Sequence, residues 1–284
     1  MAAAQPVAAE QSWPCTVGSQ ERQEYYAPSE EREKRLVHRC CDRTDGYVSG
    51  HFDHEAMGHG GICLALGGHI EVLTSSLFQC DVRSRFIAPA GPFGNLVGGA
   101  LSLFVVHFVP RRSIGLRLFL ILVTSFSFFW EAGYLINAMR GRDGDLYFAG
   151  QDFLGEPSLW WRIAGAVAGL CLYLFVVGWA SRSLSDLWPN SASARHVART
   201  AWVSASLGAA LAALAYSGNR SADLAGAVLE IGVGSFPLLL IPRRDWASQK
   251  TLGQRVIMRS RMTISSSLIV YAIFVATLGR GLPF

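Results

Sequence analysis

Of the 284 residues, 51% are hydrophobic and only 16% are charged, and the mean hydropathy is +0.28, a balance too apolar for an ordinary soluble domain of this length. The composition predicts an integral membrane protein. A net charge of +4 would point to nucleic acid in a soluble chain, but here the arginines fall in loops between apolar runs, so the expected surroundings are a lipid bilayer and no nucleic acid.

In chain order, residues 1–45 are polar and carry the charge run Glu30-Glu31-Arg32-Glu33-Lys34-Arg35. They hold too little apolar surface to offset the entropy of ordering a core, so a disordered or loosely helical tail is expected. Residues 1–10 lack the basic start and apolar core of a signal peptide, which leaves insertion to internal spans. The stretch 54–68 is glycine-rich and reads as a short, partial or protein-covered helix. His69-Ile70-Glu71-Val72-Leu73-Thr74-Ser75-Ser76-Leu77-Phe78 is rich in β-branched and aromatic residues and fits a short hairpin or extended loop.

Apolar runs near the ~20 residues that a spanning helix needs follow at 86–109, 114–137, 159–180, 200–216, 222–241 and 263–278. The fold expected is an all-α membrane protein, a multi-pass helical bundle of six to seven spans with the hairpin after the histidine helix. Basic residues concentrate in the N-terminal region and in 111–117, 182–199 and 243–261. By the positive-inside rule those segments are cytoplasmic and Phe284 lies across the membrane. Trp160, Trp161, Trp188 and Trp246 sit near span ends, as interfacial aromatics do. Gly94 with Gly98, and Gly165 with Gly169, are small pairs suited to tight helix crossings. The six cysteines, Cys15, Cys40, Cys41, Cys63, Cys80 and Cys171, form no C-x-x-C pair, so neither a disulfide framework nor a zinc ribbon is expected.

Chemistry concentrates in His54-Glu55-Ala56-Met57-Gly58-His59. Two imidazoles beside a carboxylate are what a zinc-activated water requires, neutral nitrogens to hold Zn2+ and a base to take the proton. The usual spacing is H-E-x-x-H, and here the second histidine comes one residue late. On a regular helix residues four apart are offset by about 40° and residues five apart by about 140°. A π-type turn with i→i+5 bonding restores convergence, and Gly58, Gly60 and Gly61 ease that distortion. His51, three residues before His54, is a reserve ligand.

Catalytic zinc commonly takes three protein ligands. Arg140-Gly141-Arg142-Asp143-Gly144-Asp145 offers two carboxylates on a glycine-bearing turn after a span, Asp145 as first choice and Asp143 as second. Among intramembrane polar residues, which need a partner or a cavity, Glu131 reads as a metal ligand or the partner of one, Glu230 as a hydrogen-bonded packing residue, and Asn95 also calls for a partner. His107 and His196 read as structural or solvated.

Three stretches carry a resemblance: His54-Glu55-Ala56-Met57-Gly58-His59-Gly60-Gly61, Ala90-Gly91-Pro92-Phe93-Gly94-Asn95, and Asp143-Gly144-Asp145. In order and separation they resemble the histidine helix, the A-G-P-x-x-N helix and the aspartate motif of the site-2 protease-like membrane metallopeptidases, in particular their compact bacterial branch. The resemblance covers residues 50–180 and implies zinc held by His54, His59 and Asp145, Glu55 as general base, and Asn95 on a helix beside the site, in a bacterial cell membrane. It implies three regions: a tail (1–45), a metallopeptidase-like membrane core (46–181) and additional C-terminal membrane helices (182–284). The chain departs from the family in its histidine spacing, in the polar lead-in Arg39-Cys40-Cys41-Asp42-Arg43, and in lacking an asparagine-proline pair before the acid.

The expected function is a zinc-dependent hydrolase of peptide bonds in transmembrane or membrane-adjacent polypeptides. The nitrogen-plus-carboxylate set favours zinc over iron or magnesium. An alternative from another class is a noncatalytic membrane scaffold that uses the same helices to bind a partner span. A di-iron oxidase would need clustered histidines that seven scattered ones do not supply.

Overall fold

Helix formation follows the apolar runs. In the computed structural model, which describes residues 45–188, 191–241 and 261–283, five helices are long and apolar enough to cross a membrane: Ile87–Phe108, Ile114–Gly141, Leu159–Leu187, Ser193–Ala215 and Arg220–Leu240. The chain is mostly helical. Helix α1 covers residues 45–65 and includes a π-helical stretch, Phe52–Gly60. Strands β1 (Ile70–Leu73) and β2 (Phe78–Cys80) form the hairpin anticipated from the β-branched run. Then come α2 (Ile87–Phe108), α3 (Ile114–Gly141), α4 (Asp145–Leu154), α5 (Leu159–Leu187) and α6 (Ser191–Ala215). Helix α7 (Arg220–Leu240) passes from α-helix into a π-helical stretch at Val228–Val233. Last are α8 (Arg261–Phe274), which runs on into a π-helical turn, Val275–Gly279, and β3 (Leu282–Pro283). The tail to residue 44 and Trp246 lie outside the described residues.

Burial sorts the helices. The apolar window of α3 is 72% buried and that of α5 only 17%, so α3 is the central helix. Ile121, Leu122, Phe126, Phe129 and Trp130 of α3 are all within the core. On α5 the exposed residues Ile163, Val167, Leu170 and Leu174 recur at three- and four-residue spacing, an apolar stripe suited to lipid and costly in water. The glycine pairs act where backbones approach closely. A Cβ on Gly169 would lie 2.8 Å from the Ala132 carbonyl oxygen, and one on Gly58 would lie 2.7 Å from the Gly91 Cα, so α3 meets α5, and α1 meets α2, at distances only small residues permit.

The sheet is antiparallel in the order β2-β1-β3, with Leu73 opposite both Phe78 and Leu282. Its turn is anchored from two sides: the Ser75 carbonyl accepts from His51 Nδ1, and Asp223 on α7 accepts from the hydroxyls of Thr74 and Ser76. Cys63 and Cys80 are joined by a disulfide, which corrects the expectation of unpaired thiols for this pair. They are 17 residues apart, a spacing with no signature of its own. The hairpin folds back along α1 and so brings the end of β2 beside the last turn of the helix. The described residues all belong to one compact unit.

Candidate metal centre

The π-helical stretch decides the geometry of the histidines. It runs from Phe52 to Gly60, and its i→i+5 pattern turns residues five apart to one face. His54 and His59 accordingly approach with ring centroids 5.1 Å apart. Both rings are buried, as is Glu55 between them in sequence. Trp130 stacks on His54 with centroids 4.6 Å apart, and Phe78 of β2 stacks on His59 at 5.3 Å. These contacts leave each ring little freedom to rotate.

Hydrogen bonds select the tautomers. His59 Nδ1 lies 2.7 Å from the Ile87 carbonyl oxygen, which can only accept, so Nδ1 carries a proton and Nε2 is the nitrogen left to face Asp145. His54 Nδ1 donates to Glu131 Oε1 at 3.1 Å, the same oxygen that accepts from Asn95 Nδ2 at 2.9 Å. A carboxylate behind an imidazole is the arrangement that orients metal-ligating histidines. Glu131 thus stands behind His54 through Oε1, supported by Asn95 on α2, while its Oε2 is buried with no hydrogen-bond partner.

Asp145 arrives at that point from the other side. Helix α3 ends at Gly141; Arg142 after it has φ 58° and Gly144 has φ 87°, and these two positive-φ residues reverse the chain and begin α4 at Asp145. Tyr134 then fixes the carboxylate, its hydroxyl donating to Oδ2 at 3.1 Å and accepting from the Asp145 backbone N–H at 2.9 Å. Asp145 Oδ2 lies 3.7 Å from His54 Nε2 and 3.3 Å from His59 Nε2. Burial works against the charge of this carboxyl, but the imidazoles of His54 and His59 outweigh it and hold it below the usual carboxylate range. Its side chain is 29% exposed, against 4% and 5% for the histidines, so the cluster opens on the Asp145 side. Asp143 is exposed and accepts from the Gly144 N–H, which leaves it outside the cluster. His51 is committed to the hairpin turn, and exposed His107 bonds the Leu103 carbonyl.

His54, His59 and Asp145 form a group that could hold a metal ion. Four ligands at about 2.0–2.2 Å in a tetrahedron stand about 3.3–3.6 Å from one another; one nitrogen-to-oxygen separation, 3.3 Å, falls at the lower edge of that range and the other, 3.7 Å, just beyond it, and all three donor atoms lie within 4.8 Å of one another. Gly91 supplies the space: a Cβ there would fall 2.7 Å from His54 Nε2 and closer still to His59 Nε2. Glu55 Oε2 is buried with no hydrogen-bond partner, a costly state for a carboxylate oxygen unless another species meets it. Sequence reasoning missed Tyr134, although its position three residues after Glu131 places both on one face of α3. Glu230 is partly buried, and its Oε2 also lacks a partner, so the packing bond expected of it is not seen for that oxygen. No family model matches the chain, and no curated protein or solved structure does; the centre is therefore read from its own geometry.

Proposed function

We propose that the chain is a multi-pass integral membrane zinc metallopeptidase acting on transmembrane or membrane-adjacent polypeptides. What carries the reading is that one ligand atom from each of His54, His59 and Asp145 lies within 4.8 Å of the other two, beside a buried glutamate with an unpartnered oxygen. In this proposal α1, about 30 Å long, and α8 complete seven crossings with the five longer apolar helices.

His54, His59 and Asp145 would hold the ion and leave a fourth position open. When bound, zinc supplies a Lewis acid for the scissile carbonyl and lowers the pKa of a water beside it. Glu55 would be the general base of the site, holding a proton on Oε2 and delivering it to the leaving amine. Glu131 and Asn95 keep the His54 ring in the tautomer that presents Nε2, and Tyr134 holds Asp145 across from it. An extended substrate has an edge to pair with: β1 is covered on both sides by β2 and β3, so the incoming strand lies along the outer edge of β2, next to Phe78 and hence to His59.

Zinc analysis of the purified full chain, paired with cleavage of a membrane-anchored polypeptide, tests the proposal. One equivalent of zinc is expected, retained in Glu55→Gln with loss of cleavage, and lost together with cleavage in His54→Ala and His59→Ala. A chain that purifies without zinc and behaves identically after Glu55→Gln is the noncatalytic scaffold instead.

A further inference from the structure

We infer that the centre opens to the non-cytoplasmic face of the membrane and takes polypeptide segments presented from that side. That the substrate is polypeptide rests on the peptidase reading; the orientation stands on separate observations.

Contacts sort the helix ends into two sets. At one end Asp45, which opens α1, accepts from Ser267 of α8, and a Cβ on Gly46 would touch Leu122 in the first half of α3. At the other end the hairpin turn bonds Asp223 near the start of α7, and a Cβ on Gly281 would meet Tyr216 and Thr74. The second end contains the hairpin, the turn into α4 and β3. It is also the end nearest the metal cluster, since Gly91 lies only about 6 Å along α2 from its first residue and Asp145 lies beyond the end of α3.

Two independent features place this end outside the cytoplasm. The first is charge. Only seven of the 25 lysines and arginines belong to it, Arg83, Arg85, Arg140, Arg142, Arg162, Arg220 and Arg280; the other eighteen precede α1 or lie in the opposite loops and helix ends. Such an excess marks the cytoplasmic side. The second is redox chemistry. Disulfides form and persist in oxidising compartments and are rare where glutathione and thioredoxin keep thiols reduced. The Cys63–Cys80 disulfide is not remote from the centre: Cys63 is one helical turn beyond His59, and Cys80 lies two residues beyond Phe78, which stacks on His59. The compartment that oxidises this pair is therefore the one at the mouth of the site. A scissile segment reaching the partly exposed Asp145 side comes from the same compartment.

The test is thiol mapping in cells expressing the full chain with Cys15, Cys40, Cys41 and Cys171 replaced by serine. In that background Asp152→Cys, on the exposed side of α4, is expected to react with a membrane-impermeant maleimide in intact cells. Arg112→Cys, between α2 and α3, is expected to react only after permeabilisation. The native Cys63–Cys80 pair should label in intact cells only after an impermeant reductant, a readout that needs no introduced cysteine. Protection of Asp152→Cys until permeabilisation, or labelling of the native pair without reductant, overturns the orientation. Two anchored reporters, with the cleavable stretch on one or the other flank of a single span, then test the substrate: cleavage of the non-cytoplasmic flank alone is expected, and cleavage of the cytoplasmic flank alone refutes the inference. If neither reporter is cut by a zinc-loaded chain of the expected orientation, the peptidase reading fails and the orientation remains.

Discussion

Replacing Gly91 by alanine places one methyl group against the Nε2 atoms of both His54 and His59 and leaves every donor intact. The added Cβ would stand 2.7 Å from both Cδ2 and Nε2 of His54, and nearer still to Nε2 of His59, whereas unstrained contacts between carbon and its neighbours begin near 3.5 Å. Helix α2 cannot simply withdraw, because Gly94 is packed on α1 so closely that its own Cβ would strike the Asp53 carbonyl. Overpacking of this kind costs about 1–3 kcal/mol, and since relief comes only by parting the two imidazoles, the cost falls on metal binding, about 5- to 150-fold in Kd. Gly61→Ala is the matched control, as nothing lies within 4 Å of the Cβ it would add. The assay is competition for zinc against a chromophoric chelator, using purified full-length protein in detergent with thermal unfolding followed in parallel. If Gly91→Ala binds zinc as tightly as the parent while Gly61→Ala does too, the ion does not occupy the space between these rings and the metal centre as described is wrong.

Removing the carboxylate behind His54 by Glu131→Gln should weaken zinc binding about 10- to 100-fold while leaving a folded chain, since such partners set ring orientation and basicity; the same chelator titration reads it. Tyr134→Phe removes both bonds to Asp145 and should cost about 1–2 kcal/mol, seen as a 5- to 30-fold rise in zinc Kd, with an unchanged Kd arguing that Asp145 is not a ligand. Cys63→Ser opens a loop whose ends are 17 residues apart and should remove about 3 kcal/mol of stability, read as a lower unfolding temperature that matches the parent chain treated with reductant.

The sequence by itself determined the elements whose cause is local. Lipid-length apolar runs became helices, in which a single segment satisfies its own backbone, and the runs at 86–109, 114–137 and 159–180 reappear as Ile87–Phe108, Ile114–Gly141 and Leu159–Leu187. The five-residue separation of His54 and His59 stated a geometric requirement, and Phe52–Gly60 meets it as π-helix. The β-branched run at residues 69–78 likewise named its hairpin. Tertiary structure decided everything that depends on which faces meet. Nothing local says that Glu131 lies behind His54, that Tyr134 grips Asp145, or that β3 joins a sheet more than two hundred residues earlier in the chain. The disulfide was hidden for the same reason: pairing is set by distance in space, and Cys63 and Cys80 meet only because the hairpin returns along α1. The candidate centre takes its three possible ligands from α1 and the start of α4 and their supports from α2 and α3, so its residues can be nominated one by one from the sequence, while their convergence is a property of how four segments pack.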